Sequence, residues 1–293
     1  YVINIGPQHP ATHGVLRFRV SLEGEIIRKL DVHCGYIHRG IEKMCESLTY
    51  PQTLALTDRL DYLGASQNRH ALCMCIEKGL GVEVSERVQY IRTIMDELQR
   101  IDSHLLFFAC LCMDMGALTA FFYGFRDREK VLDILEQTTG GRLIQTYNTI
   151  GGVQADIHSD FVRRVKEFIA YMRPTLREYH EVFTGNVIAR ERLKGTGVLT
   201  REDAISFGAT GGTGRASGWA CDVRKRHPYA MYGKVDFEEV LYDEGDCFAR
   251  YMVRMREIEQ SMDIIEQLID NIPEGEYQLK MKPVIRIPEG SYY

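Results

Sequence analysis

The sequence predicts a mostly helical protein of the α+β class, with a helical core and a small N-terminal β-sheet. Its 293 residues are 45% hydrophobic and 26% charged, which is typical of a globular protein with a substantial core. Strand-like alternation is concentrated in residues 1–35. From residue 36 to 272, several long stretches repeat apolar residues every three or four positions, and this spacing indicates amphipathic helices.

The N-terminal stretch "VLRFRVSLEGEIIRKLDV" alternates apolar and polar residues around a turn at Glu23 and Gly24. This pattern predicts a β-hairpin. After "GYIHRG" the spacing of the apolar residues changes from two to three or four positions, which predicts helices over residues 41–47 and 53–79.

The next predicted helix, residues 85–113, has the clearest apolar face of the chain. Ser85 is a suitable N-cap for it, because a serine side chain can accept a hydrogen bond from the first turn. A further helix over residues 126–139 is expected to end at Gly140, a common C-terminal signal. The apolar face of the 85–113 helix consists of Val88, Ile91, Met95, Leu98, Ile101 and Leu105.

The second half of the chain predicts two more long helices separated by a loop. Residues 159–183 contain Pro174, which predicts a kink or a break. The glycine-rich stretch 185–218 predicts a long irregular loop, and such loops are usually functional or form interfaces. Residues 245–272 predict the last helix. We therefore expect one domain over residues 1–293, with small β elements at both ends.

Composition argues against several classes of function. A net charge of -5 gives no electrostatic reason to expect nucleic acid as a partner. The longest apolar run, "LLFFACLCM", is shorter than the roughly 18 residues that suggest a membrane span, so we expect membrane contact only through a partner. The chain begins with Tyr1 and shows no signal peptide, which indicates processing or partial coverage.

The eight cysteines predict buried thiols rather than a metal site or a disulfide framework. They include two Cys-x-Cys pairs and no Cys-x-x-Cys. Zinc or a self-contained iron-sulfur cluster would require closer grouping of the ligands. In a chain of this length and apolar content, cysteine more commonly packs in the core.

The stretch "GPQHPATHG" carries His9 and His13 four residues apart, the spacing of a zinc-protease helix. The glutamate of that motif is missing, however, and Pro10 disfavours a helical conformation at His9. Two interpretations remain open from the residues alone. Either a rigid loop aims an imidazole into a cavity, or both histidines are ordinary turn residues.

Other polar residues permit both a functional and a purely structural interpretation. Arg39 and Arg59 either donate into a buried acceptor or lie on the surface, and Tyr62 is either functional or a core tyrosine with a backbone partner. Asp114 follows an apolar run that we expect to be buried, so its carboxylate needs a partner. "GATGGTGRASG" lacks the Lys-Ser/Thr ending of a phosphate-binding P-loop, which favours a flexible or partner-facing loop.

These stretches resemble the 49-kilodalton, quinone-site subunit of respiratory complex I, the proton-pumping NADH:ubiquinone oxidoreductase. The family is similar to the large subunit of nickel-iron hydrogenases, which implies a hydrogenase large-subunit-like helical core. The hydrogenase cysteine pairs are absent, and the first motif region reads "RLDYLG", so no nickel is expected. The matching runs include "GPQHPATHGVLR", "GYIHRGIEK", "DRLDYLGASQN", "DMGALTAFFYGFRDRE", "GGVQADI", "GTGVLT" and "GDCFARYMVRMREIEQSMDIIEQ".

The resemblance implies a pocket for the headgroup of ubiquinone. His13 and Tyr62 match the residues that hydrogen-bond the two quinone oxygens, and Asp114 matches the aspartate paired with the histidine. His9 is expected to shape the loop or line the cavity. Both donors have side chains that can supply a proton during reduction to the quinol.

The resemblance further implies that the electron donor is a 4Fe-4S cluster carried by a neighbouring small subunit. Arg39 and Arg59 match arginines beside that cluster, where positive charge favours its reduced form. The expected partners are this iron-sulfur subunit, a 30-kilodalton-type subunit and the quinone-channel membrane subunit. NADH would be oxidised elsewhere in the complex. The expected location is the peripheral arm on the matrix side of the mitochondrial inner membrane, in preference to the bacterial plasma membrane.

The chain departs from the family pattern at three positions and at its end. Ile144 replaces a histidine that couples the potential of the cluster to pH, and Thr149 and Ile150 replace an arginine-proline pair. The family has a further segment after the region that resembles "IRIPEGSYY", so we expect either that the chain is incompletely covered or that a separate polypeptide supplies this segment. These departures leave a second hypothesis, a structural or assembly subunit without quinone turnover. A true hydrogenase is disfavoured by the missing cysteines.

Overall fold

The structure is a computed structural model that describes residues 1–7, 15–282 and 284–290. The chain divides into two compact units, residues 1–49 and residues 50–293. Each unit is described by itself. The single domain over residues 1–293 therefore stays a prediction.

The first unit contains the predicted N-terminal sheet. Strands β1 (Val2–Ile5), β2 (Arg17–Glu23) and β3 (Ile26–His33) pair antiparallel in the order β1-β2-β3. The predicted hairpin between β2 and β3 is confirmed: Glu23 pairs with Ile26, and Gly24 takes a φ of 61°, which glycine adopts without strain. A short helix, α1 (Ile41–Cys45), follows the sheet.

The second unit begins with two helices where the sequence predicted one over residues 53–79. Helix α2 (Tyr50–Thr57) ends before a 3-10 turn at Tyr62–Gly64, and α3 (Ala65–Leu80) follows. The prediction of an unbroken helix is wrong because Asp61 competes with it: its side chain accepts a hydrogen bond from the Leu63 N–H at 3.0 Å.

The long helix α4 (Glu86–Asp114) confirms the clearest sequence prediction. The Ser85 hydroxyl accepts from the Val88 N–H at 3.2 Å, as expected of an N-cap. Helix α5 (Leu118–Thr139) begins earlier than predicted, and it ends as predicted at Gly140, whose φ is 78°.

A two-stranded sheet of β4 (Asn148–Thr149) and β5 (Gly152–Val153) follows α5. Gly152 also forms an isolated antiparallel bridge to Gln278. In the described part of the chain, this bridge is the only β pairing near the C-terminus, so the predicted C-terminal β element is reduced to a single contact.

Helix α6 (Phe161–Tyr179) runs through Pro174 without a break, and a π-helical turn, His180–Thr184, continues it. Of the predicted kink or break, the break does not occur, because Pro174 and Ala170 both lie on the exposed face. The Ala170 carbonyl that loses its helical partner can therefore be hydrated, which lowers the cost of the proline.

The glycine-rich stretch 185–218 contains three short helices, which corrects the prediction of an irregular loop. Asn186 and Thr200 cap the first two of these helices with their side chains. These capping residues indicate helix starts in the sequence, but the high glycine content suggested a loop instead. The helices are α7 (Val187–Leu193), α8 (Arg201–Ser206) and α9 (Gly211–Ala216). Helix α10 (Val223–Arg226) and a 3-10 turn, Tyr232–Lys234, come next.

The last helix, α11 (Cys247–Ile269), completes the core of the second unit. Contacts run in a closed cycle from α4 to α5, from α5 to α6, from α6 to α11 and from α11 back to α4. Phe108 of α4 stacks on Tyr179 of α6 at a centroid distance of 4.3 Å. Helix α4 thus lies at the centre of the fold, and its side chains decide what the core contains.

Candidate functional site

Tyr62 is the first residue of the 3-10 turn that precedes α3. Asp61 holds the turn: its side chain accepts from the Leu63 N–H, and its carbonyl accepts from the side-chain amide of Asn68 in α3 at 3.1 Å. The Tyr62 side chain is half-buried. Burial raises its pKa, and the neighbouring Asp61 and Cys110 raise it further. The phenol therefore stays protonated at neutral pH and can donate a hydrogen bond.

Asp96 of α4 holds the start of α3 in place directly after this turn. The Ser66 hydroxyl donates to Asp96 Oδ1 at 2.8 Å, and the Gln67 side-chain amide donates to the Asp96 carbonyl at the same distance. Asp96 is fully buried. Because α4 is the rigid centre of the core, these bonds limit the positions that Tyr62 can take.

Asp114 is the last residue of α4, and its side chain is exposed. The expectation that it is buried is wrong: full burial on α4 ends at Cys112, because the helix leaves the core in its final turn. No residue that the structure describes forms a hydrogen bond or ion pair with its carboxylate. Asp114 lies one helical turn beyond Cys110, one of the residues that raise the pKa of Tyr62, so it shares that face of α4.

His9 and His13 lie outside the described residues. Their predicted roles stay predictions. The same holds for the pairing of His13 with Asp114.

The two arginines expected beside a neighbour's cluster are both exposed. No described residue accepts a hydrogen bond from the Arg39 guanidinium, which belongs to the first unit. Arg59 lies after α2 in the second unit and donates to the Ala55 carbonyl. The sequence left open whether these arginines donate to a buried acceptor or lie on the surface. Their exposed side chains favour the surface position.

The segment that departs from the family pattern is well anchored. Ile144 is half-buried, and the next residue, Gln145, is buried and donates to the Gln99 amide oxygen at 2.6 Å. The Thr149 carbonyl accepts a hydrogen bond from Arg92 at 2.9 Å. Ile150 packs in a small apolar cluster that is separate from the main core. Contacts within this chain therefore hold the segment in place.

Sequence reasoning missed a set of charged side chains buried along α4. Glu97 is fully buried and accepts hydrogen bonds from Tyr232 and Ser261, each at 2.6 Å. Burial alone would raise its pKa, but the positive charges of Arg100 and Arg224 outweigh this and lower the pKa to about 2. In the sequence, acidic residues fall among the apolar positions that repeat every three or four residues along α4. This placement could have indicated that charged side chains are buried there.

A second buried group joins α4, α9 and α11. His104 Nε2 lies 2.7 Å from Glu257 Oε2, and Arg215 lies 2.6 Å from Glu257 Oε1. Burial lowers the pKa of His104, so the imidazole is neutral at pH 7 although Glu257 opposes the shift. Both groups are paired within the protein, which makes them structural elements of the core.

In the part of the chain that the structure describes, no group of three or more His, Cys, Asp or Glu side chains could hold a metal ion. All eight cysteines are free thiols; Cys73, Cys110 and Cys112 are buried, whereas Cys34 is exposed. The prediction of buried thiols is therefore confirmed for part of the set. The expected absence of nickel stays a prediction.

Comparison with known proteins identifies related sequences. A sequence model of the family described as "Respiratory-chain NADH dehydrogenase, 49 Kd subunit" matches residues 114–292. The C/D-type NADH-quinone oxidoreductase subunit of Phocaeicola vulgatus is 88% identical over 293 residues, which is the whole chain and 56% of that relative. The C/D-type protein of Bacteroides thetaiotaomicron is 80% identical over 293 residues, again the whole chain and 55% of the relative.

A more distant relative is of the D type alone. The D-type NADH-quinone oxidoreductase subunit of Desulfotalea psychrophila is 46% identical over 294 residues, covering the whole chain and 79% of that relative. The chain thus spans about half the length of the C/D-type relatives and most of this D-type protein.

These relatives are bacterial and give no support to the mitochondrial location that the sequence analysis favoured. No helix within the described ranges is long and apolar enough to cross a membrane. The family match covers more than half of the chain, and it agrees with the motif resemblance and with the helical core. The chain belongs to the family of the 49 Kd subunit of respiratory-chain NADH dehydrogenase.

Proposed function

We propose that this chain is the quinone-site subunit of an NADH:quinone oxidoreductase and forms one wall of the pocket in which ubiquinone is reduced. The observation that carries the proposal is the placement of Tyr62 on a turn fixed to α4 through Ser66 and Asp96. A preorganised donor stabilises the charge that develops on a quinone oxygen better than a mobile one, because no reorganisation is required.

The reduction of a quinone to a quinol adds two electrons and two protons. Tyr62 would donate its phenolic proton to one carbonyl oxygen, and the resulting phenolate would be protonated again from solvent. The raised pKa of Tyr62 supports this role, since the neutral phenol is the form that can donate. His13 would donate to the second oxygen.

The role of Asp114 would be to orient His13 and to restore its proton. The exposed carboxylate at the end of α4 is available for such a pairing, since no described residue occupies it. His9 would shape the same loop. In this arrangement Asp114 acts through His13 as a positioning residue.

Electrons would come from a 4Fe-4S cluster held by a neighbouring iron-sulfur subunit, which supplies them one at a time. The exposed guanidinium groups of Arg39 and Arg59 can face such a neighbour, and their charge would favour the reduced cluster. The other partners would be a 30-kilodalton-type subunit and the quinone-channel membrane subunit. Since the relatives are bacterial, we place the chain in the peripheral arm of a bacterial membrane-bound complex.

A structural or assembly subunit is the rival proposal. It is favoured by Ile144, which stands where the family has a titratable residue. The rival predicts that Tyr62 can be changed without any effect on quinone reduction.

The test is Tyr62→Phe in the assembled complex. Quinone-dependent NADH oxidation should fall by roughly 10- to 1000-fold, since a positioned donor contributes by about that factor. Electron transfer from NADH to ferricyanide should be kept. Tyr50→Phe, at a side chain that is 42% exposed, is the matched control and should leave both activities unchanged. Unchanged quinone reduction in Tyr62→Phe would establish the structural rival.

A further inference from the structure

The connection between α2 and α3, residues 58–64, carries Tyr62. Most of its side chains are exposed or half-buried, so packing against the core does not by itself fix its course. Asp58 is the one buried residue of this connection, with 1% of its surface exposed. What holds Asp58 therefore holds the end of the connection that precedes Tyr62.

Arg69 of α3 holds this buried end. Its Nη1 lies 2.9 Å from Asp58 Oδ2 and also donates to the Leu54 carbonyl of α2 at 3.1 Å. The Arg69 side chain is 10% exposed, so water screens this ion pair only weakly. One guanidinium group thus ties α3 to the end of α2, across the connection that carries Tyr62.

The same guanidinium group reaches β4. Its Nε donates to the Asn148 carbonyl, and the side-chain amide of Asn148 donates to the Ser66 carbonyl at 3.1 Å. Ser66 is also the residue that donates to Asp96 of the central helix. Asp96 therefore fixes the segment that follows Tyr62, and Arg69 fixes the segment that precedes it.

No other described residue can take over the role of Arg69 at Asp58. The second carboxylate oxygen, Asp58 Oδ1, is buried and has no hydrogen-bond partner among the residues that the structure describes. A buried carboxylate requires a paired charge, and Arg69 is the side chain that donates to it. The planar fork of a guanidinium group serves Asp58, Leu54 and Asn148 at once, which the single ammonium group of a lysine cannot do.

We propose that Arg69 is a positioning residue of the quinone site, which acts through Asp58 to fix the place of the Tyr62 phenol. Arg69 itself does not touch the quinone. The inference rests on the proposed function, because it takes Tyr62 as the donor to a quinone oxygen. Such positioning matters because a displacement of about 1 Å at a reacting group can lower a rate by roughly 100-fold.

The first test is Arg69→Lys in the assembled complex. Lysine keeps a positive charge beside Asp58 but loses the fork, so kcat for quinone reduction should fall by roughly 10-fold with little change in KM. Electron transfer from NADH to ferricyanide should be kept. The matched control is Arg215→Lys, at an arginine that is 6% exposed and paired with Glu257, and it should leave kcat unchanged. An unchanged kcat in Arg69→Lys overturns the proposal.

The second test separates positioning from a merely structural role. If Arg69 acts through Tyr62, the loss of kcat caused by Arg69→Lys should shrink to less than about twofold in a complex that already carries Tyr62→Phe, because the two effects are coupled. Equal losses in both complexes overturn the proposal and leave the proposed function standing. If Tyr62→Phe alone leaves quinone reduction unchanged, the proposed function fails, and this inference fails with it.

The third test changes the partner and does not depend on the assembly of the Arg69 variant. Asp58→Asn keeps an oxygen that accepts from Arg69 Nη1, and it should keep most of the quinone reduction. Asp58→Ala removes this acceptor and should lose about as much activity as Arg69→Lys, roughly 10-fold. Equal quinone reduction in Asp58→Asn and Asp58→Ala, each scaled to its ferricyanide rate, contradicts the proposal.

Discussion

Arg224 and Glu97 form an ion pair with 3.0 Å between Nη1 and Oε1, and neither side chain is more than 3% exposed. The two residues are 127 positions apart in the sequence, so the pair fastens α10 to the central helix α4. Ser261 of α11 and Tyr232 donate to the same carboxylate. A single buried glutamate therefore joins four elements of the core.

We expect Glu97→Gln to destabilise the protein by roughly 3 kcal/mol, because it breaks a buried ion pair and leaves the positive charge of Arg224 only partly neutralised. Asp222, 2.6 Å from Arg224, keeps the loss from being larger. The measurement is the urea midpoint of the purified protein. Glu181→Gln on the surface is the matched control, and an equal midpoint for both variants would contradict the structural role of Glu97.

Asp102 gives a prediction about pH. Burial raises its pKa to about 6, although Arg128 opposes the shift. The native state therefore keeps a proton that the unfolded chain loses between about pH 4 and pH 6. The free energy of unfolding should fall as pH rises through this window, with a contribution from Asp102 of about 1.4 kcal/mol per pH unit at most.

Urea titrations of the purified protein and of Asp102→Asn between pH 4 and pH 7 test this slope. The difference between the two proteins should change across the window and be constant above it. Asp203→Asn, at an exposed position of α8, should run parallel to the unmodified protein throughout. Parallel curves for Asp102→Asn and the unmodified protein would show that Asp102 titrates alike in the native and unfolded states, which contradicts the prediction.

The long helices could be predicted from the sequence because their signals are local. Ser85, the apolar period of α4 and Gly140 all act within one or two turns of the chain. The short helices α7 and α8 were missed because composition suggested a loop, although Asn186 and Thr200 marked their starts.

The candidate site was less accessible to prediction. Tyr62 could be selected by motif, but its support from Asp96 depends on a hydrogen bond between Ser66 and Asp96, residues 30 positions apart, and no local pattern reveals that relationship. Asp114 was expected in the core because the apolar run before it is buried, and one further helical turn carries it to the surface. The pairing of buried charges such as Glu97 and Arg224 depends wholly on tertiary structure.

Gly124 marks a close approach between α5 and α4. A Cβ at this position would lie 2.8 Å from the Ala109 Cβ and 3.2 Å from the Leu105 carbonyl oxygen. We expect Gly124→Ala to destabilise the protein by roughly 1–3 kcal/mol, the cost of overpacking a filled core, despite the better helix propensity of alanine. Thermal unfolding checks this. Gly233→Ala, whose Cβ would meet only the Pro228 side chain at 3.5 Å, should be nearly neutral.

Ile144 tests the electronic part of the proposed function. If the segment of Ile144 lies beside a neighbour's cluster, the midpoint potential of that cluster should be low and almost independent of pH, because isoleucine neither titrates nor donates a hydrogen bond. Ile144→His should raise the potential and introduce a pH-dependent slope near the pKa of histidine, whereas Ile144→Asn, which is polar but does not titrate, should leave the slope flat. Redox titrations of the assembled complex at several pH values measure both. A pH-dependent slope in the unmodified complex would show that another group couples the cluster to protons.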